Sequence, residues 1–192
     1  MSNTQHAFEL FDAYNKQDPN QLVWNGETYP AEYFYALQLH SWVRKLEPGA
    51  SEILLLASRA QHIGRWKTPR DKYPAGKAGY LTWRKDLAKF HSQTAGELML
   101  QAGFGEHEIN GVRHIILKEN LKFNHEVQVM ENALCLVFLE FQYDDFILKH
   151  DDEKVIRILK KSWLKMTEPG REAALGLNYS HRGKELIVKA IG

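Results

Sequence analysis

Three of the nine histidines in the chain stand beside apolar residues: His40 in Leu37-Gln-Leu-His-Ser-Trp-Val43, His62 in Ala60-Gln-His-Ile-Gly64 and His91 in Lys89-Phe-His-Ser92. An imidazole in such a place can ligate a metal, act as a general base, or hydrogen-bond within a core. Joined by a carboxylate, for which Glu131 is the first candidate and Glu119 and Glu140 are alternates, the three would suit a divalent transition metal. Such an ion lowers the pKa of its bound water toward neutrality. His40, His62, His91 and Glu131 are therefore the candidate ligands, and His62 and Glu131 the candidate catalytic pair. The competing expectation is three hydrogen-bonded core histidines. His6, His107, His125, His150 and His181 lie in polar or terminal contexts and read as surface residues, while His114 adjoins apolar Ile115.

The second chemical signal is charge. From Arg59 through Lys89 there are nine Lys or Arg and two acids, a local charge of +7 in a chain whose net charge is +1. Trp66, Tyr73, Tyr80 and Trp83 interleave with these cations and offer faces for a base or ring. Arg59, Arg65, Arg70 and Arg84 supply bidentate forks for phosphate or carboxylate, and Lys77 a further charge. Gly76 and Gly79 would let the backbone approach a ligand closely. The competing reading is a solvated basic face whose tryptophans anchor the loop and whose arginines pair with acids elsewhere.

The elements that must position these residues are helical. Apolar residues at spacings of three and four predict helices over 5–16, 31–46, 53–66, 80–101, 106–120, 127–148, 154–166, 168–176 and 181–190. Ser51 can cap the third, and Asp151-Asp-Glu places three carboxylates at the start of the seventh, where the helix dipole favours them. The segment 127–148 is apolar on most sides and reads as the central, buried helix. Asn25-Gly26 is a turn signal, and no segment alternates over strand length. The fold expected is all-α, a single compact domain of about eight helices.

Length and composition fit that picture. A chain of 192 residues can bury one core. No apolar run approaches the roughly 20 residues that span a bilayer, which argues against a membrane partner. The first residues lack a signal-peptide pattern and the single Cys135 sits among Leu134, Leu136 and Val137 as a packed thiol, so a cytoplasmic location is expected. There is no phosphate-binding glycine loop, dinucleotide fingerprint, CxxC pair or zinc-protease motif. Oligomeric state is not readable.

Two resemblances add to this reading. The order of His40, an apolar helix ending Gln61-His62-Ile63-Gly64, His91, and Met130-Glu131-Asn132-Ala133 resembles the HD superfamily of metal-dependent phosphohydrolases over about residues 31–150, with residues 151–192 as added C-terminal helices. In that alignment Gln61-His62 stands where the superfamily has His-Asp, and Asn132 where an aspartate would be expected. The resemblance implies an HD-like helical core and a phosphohydrolase activity. A closer resemblance, spanning nearly the whole chain, is to an uncharacterised family of small helical proteins of bacteria and fungi. It rests on Ser58-Arg-Ala-Gln-His-Ile-Gly-Arg-Trp66, on Pro69-Arg-Asp-Lys-Tyr-Pro-Ala-Gly-Lys-Ala-Gly-Tyr-Leu-Thr-Trp-Arg84 and on Cys135-Leu-Val-Phe-Leu-Glu140. It implies no activity.

Two functions are thus expected in competition. One is a divergent HD-like hydrolase acting on a phosphorylated small molecule or nucleotide, metal-dependent if the His/Glu set converges. The other is a non-catalytic module binding a nucleotide or RNA through the basic aromatic loop 65–84.

Overall fold

The computed structural model describes residues 2–192, and ten α-helices account for most of them. α1 (Asn3–Asn15) starts at Ser2, whose hydroxyl accepts from the Gln5 amide. α2 (Ala31–Leu46) keeps its expected bounds, and α3 (Glu52–Ala60) is capped as expected, the Ser51 hydroxyl accepting from the Leu54 amide. Ser, Asn or Asp side chains likewise cap α6 (His125–Phe141), α8 (Asp152–Lys165) and α10 (His181–Ile191), so local sequence chemistry sets many of the starts. The remaining helices are α4 (Gly76–Gln101), α5 (Glu106–Ile116), α7 (Tyr143–Leu148) and α9 (Glu168–Leu175).

Besides α5 ending at Ile116 instead of residue 120, four features depart from the sequence reading. A two-stranded antiparallel hairpin, β1 (Gln21–Trp24) and β2 (Glu27–Pro30), surrounds the Asn25-Gly26 turn, with Gln21 opposite Pro30 and Trp24 opposite Glu27. Both turn residues have positive φ, 52° and 82°, as a two-residue hairpin requires. Strands of four residues are too short to show alternation, and this hairpin is held partly by Trp24 packing on Phe34 and Phe141. Second, α3 ends at Ala60 instead of reaching Trp66, and two short 3₁₀ turns, Arg65–Lys67 and Arg70–Lys72, follow. Third, α4 begins at Gly76, four residues before the expected Tyr80. Fourth, the long apolar segment is two helices, broken at Gln142, whose φ of −127° lies outside the helical range.

One continuous core joins all the helices. Leu54, Leu56, Ile63, Met99, Ile115, Ile116, Met130 and Leu136 are fully buried at its centre, each contributing roughly 1.5–3 kcal/mol of burial energy. α6 is indeed the central helix, with Val129, Met130, Ala133, Leu136 and Val137 all buried. Val155, Leu159, Ala174 and Leu186 from α8, α9 and α10 belong to the same core. No helix among the described residues is long and apolar enough to cross a membrane.

Candidate functional site

The turn that ends α3 brings two of the three histidines together. Gly64 takes a left-handed conformation, φ +67°, and a Cβ there would lie 2.8 Å from Tyr14 and 2.9 Å from Phe90. Only glycine fits, and the Gly64 amide donates to the buried Asn15 side chain at 3.2 Å. The chain therefore turns under α4, which presents His91 to it. His91 is buried, and its Nδ1 lies 2.7 Å from the Ile63 carbonyl oxygen. A carbonyl only accepts, so Nδ1 carries the proton and Nε2 holds a lone pair. That Nε2 is buried with no hydrogen-bond partner among the described residues. The His62 ring lies alongside, 5.8 Å between centroids.

Both rings are kept neutral. Burial, with a smaller effect of the Arg65 charge, pushes His91 down to about 4 against the stabilising bond to Ile63. Burial pushes His62 well below the usual imidazole range too, and the charges of Arg65, Lys118 and Arg84 add to it. The pair is thus an uncharged patch under positive potential.

The sources of that potential are specific. Arg65 lies over the Trp83 ring at 5.3 Å and 3.8 Å from Glu32, a partly buried carboxyl that desolvation raises to about 7. Lys118 pairs with Glu131, which is only 3% exposed, and Lys165 Nζ lies 3.0 Å from the second Glu131 oxygen. Burial alone would raise Glu131, but the two ammonium groups outweigh it and hold the carboxyl below its ordinary range. Arg84 is exposed on α4.

The other nominated ligands lie elsewhere or are engaged. His40 Nδ1 is 2.9 Å from the Ser58 hydroxyl, which itself donates to the Leu55 carbonyl at 2.6 Å. His40 must therefore donate through Nδ1; with Phe8 edge-on at 5.3 Å it is a hydrogen-bonded residue between α2 and α3. Glu140 accepts from Trp42 Nε1 at 2.6 Å, and Glu119 pairs with His114 at 2.8 Å. Gln61 donates its amide to the Ile116 carbonyl at 3.2 Å, while its buried side-chain oxygen has no partner among the described residues. No group of three or more His, Cys, Asp or Glu among the described residues could hold a metal ion. Glu131 is engaged by two lysines and His40 by Ser58, and His62 with His91 alone do not make the ligand set of a divalent ion.

Many of the basic and aromatic residues build the loop. Arg59 pairs with Asp12 and stacks on Phe8. Arg70 donates to the carbonyls of Tyr73 at 2.9 Å and Pro74 at 2.8 Å, the Tyr73 hydroxyl donates to Asp86 at 3.1 Å, and buried Trp83 donates to the Thr68 carbonyl at 2.8 Å. Trp66 packs on Tyr14. Gly79 serves the loop as well: a Cβ there would lie 1.9 Å from the Pro74 carbonyl oxygen. Lys77, Tyr80 and Arg84 remain exposed, spaced along one face of α4, with the Arg84 guanidinium 6.0 Å from the Tyr80 ring centroid.

Sequence reasoning overlooked Lys118 and Lys165. Lys118 closes α5 at the left-handed position, φ +58°, where glycine is usual; its amide donates to the Ile115 carbonyl and the Glu119 amide to His114. A lysine directly after the apolar run Ile115–Leu117 gives no sign of that conformation.

The family model described as "Domain of unknown function (DUF4202)" matches residues 5–187. The chain belongs to the DUF4202 family. Within that family match lie the histidine pair, the Lys118–Glu131–Lys165 group and the whole of the basic loop. No curated protein and no solved structure matches the chain.

Proposed function

We propose that the chain binds the phosphoryl group of a small molecule, a nucleotide being the best fit, over the His62–His91 pair. The observation that carries this reading is the buried, unpartnered Nε2 of His91 beside a neutral His62, in surroundings made positive by Arg65, Arg84 and Lys118. Cations acting on uncharged polar groups are suited to an anion, because the charge it meets is favourable and partly desolvated. Exposed Tyr80, with Arg84 against it, offers a stacking face for a base one helical turn from a phosphate-binding cation.

Hydrolysis is the reaction such a site can serve. Water attacks phosphorus while its proton passes to a neutral imidazole of the pair, the ester bond breaks with its electron pair going to the ester oxygen, which takes up that proton from the imidazolium, and the nearby cations bear the developing charge. An arriving dianion raises the histidine pKa values, so the weak base of the free site becomes stronger when it is needed. No step runs through a metal. The non-catalytic alternative has the same site without turnover. A single-stranded RNA partner is less well supported, because Trp66, Tyr73 and Trp83 are occupied in holding the loop.

The test is thermal unfolding at fixed ionic strength in EDTA with AMP, inorganic phosphate or a short RNA, followed by an assay for released phosphate. AMP is expected to raise the melting temperature saturably, and Arg84→Ala to reduce that gain. No shift with AMP or phosphate would overturn the reading; binding without phosphate release selects the non-catalytic form.

A further inference from the structure

We infer that Lys118 is a phosphate-contacting residue positioned by Glu131, and that the site it completes takes a phosphomonoester dianion in preference to a diester. The inference rests on the phosphoryl-binding reading above and names its ligand class. Three observations carry it. Lys118 holds a left-handed backbone, φ +58°, at the closing position of α5. Glycine would hold that conformation without strain, so the lysine side chain has a use that offsets its conformation. That side chain reaches Glu131, buried on α6, yet stays 24% exposed and keeps ammonium protons for a second acceptor.

The charge count supplies the third. Glu131 is one negative charge between two lysines, since Lys165 Nζ lies 3.0 Å from its other oxygen. Neutralising the carboxylate requires only one of them. The group therefore keeps one surplus positive charge and Arg84 adds another, while Arg65 is answered only in part by Glu32, whose carboxyl burial raises to about 7. Two unanswered positive charges match the two negative charges of a terminal phosphate above its second pKa of about 6. A diester brings one. Glu131, in this account, does not ligate a metal; it fixes where the Lys118 ammonium sits.

The experiment titrates the full chain with AMP and with cyclic AMP at pH 7.5 in EDTA, using wild type, Lys118→Met, Lys118→Arg and Glu131→Gln. Lys118→Met leaves Glu131 paired with Lys165, and its melting temperature in the absence of ligand checks that it is folded. Wild type is expected to bind AMP at least about tenfold tighter than cyclic AMP, the scale of one charged hydrogen bond. Lys118→Met should erase that preference by weakening AMP alone, Lys118→Arg should restore most of it, and Glu131→Gln, which adds one positive charge for both ligands but releases Lys118 from its anchor, should narrow the ratio of the two affinities. AMP bound equally by wild type and folded Lys118→Met would overturn the inference and leave the phosphoryl-binding reading standing. No binding of AMP or cyclic AMP by wild type would overturn that reading itself.

Discussion

His91 Nδ1 lies 2.7 Å from the carbonyl oxygen of Ile63, and this contact ties α4 to the turn that carries His62. It fixes the tautomer, leaving the lone pair of His91 on Nε2, and it places two neutral rings side by side. The proposed chemistry of the site follows from this bond together with the charges around it.

Stability should depend on acid. His91 and His40 each have a pKa of about 4 when folded, against an ordinary 6.5. Between those values each histidine binds more protons in the unfolded chain, so its contribution is full above about pH 6.5 and falls as pH drops toward 4; Glu32, raised from 4.5 to about 7, works in the opposite direction and offsets one of the two histidines. Each group contributes a slope of up to about 1.4 kcal/mol per pH unit. Urea midpoints measured from pH 7.5 to 5 should fall accordingly. His91→Asn, whose amide can still donate to Ile63, should fall less steeply; an unchanged slope would place the protonating group elsewhere.

Arg70 and Arg84 should separate. Arg70 donates to loop carbonyls, so Arg70→Ala is expected to lower the melting temperature and speed proteolysis between residues 67 and 79. Exposed Arg84 makes no hydrogen bond or ion pair among those described, so Arg84→Ala should leave the melting temperature nearly unchanged and weaken AMP binding about tenfold. Loss of stability in both variants would show that Arg84 is structural.

Two glycines with positive φ should respond differently to alanine. At Gly26, φ +82°, nothing lies within 4 Å of the added Cβ, so Gly26→Ala costs only the backbone conformation, roughly 1–2 kcal/mol. At Gly64 the same backbone cost is joined by collisions at 2.8 and 2.9 Å with Tyr14 and Phe90. Gly64→Ala should therefore lose more stability in denaturant titration and disturb the His62–His91 pair. Equal losses would mean that the two rings move aside without cost.

Much of the helical architecture was legible in the chain because its cues are local. Apolar spacing located the helices, and Ser51 and Asp151 marked starts that their side chains do cap. The hairpin was missed because its strands are four residues long and rest on aromatic contacts from distant helices. His62 and His91 were legible as residue types, while their adjacency depends on a glycine turn and on a carbonyl from another element. The separation of His40 was not legible, because the Ser58 hydroxyl that binds it is set by how α2 crosses α3. Charge density did locate the basic loop, but composition cannot distinguish Arg70, turned onto its own loop, from Arg84, turned to solvent.

Nitrogen-15 NMR of the histidine rings, recorded while AMP is added in EDTA, reads the proposed site at its two imidazoles. The account predicts saturable shifts at His62 and His91, with the His91 Nε2 resonance moving toward the protonated position, and little change at His40 or the surface histidines. Saturable binding that leaves His62 and His91 unmoved, or no binding at any histidine, would contradict it.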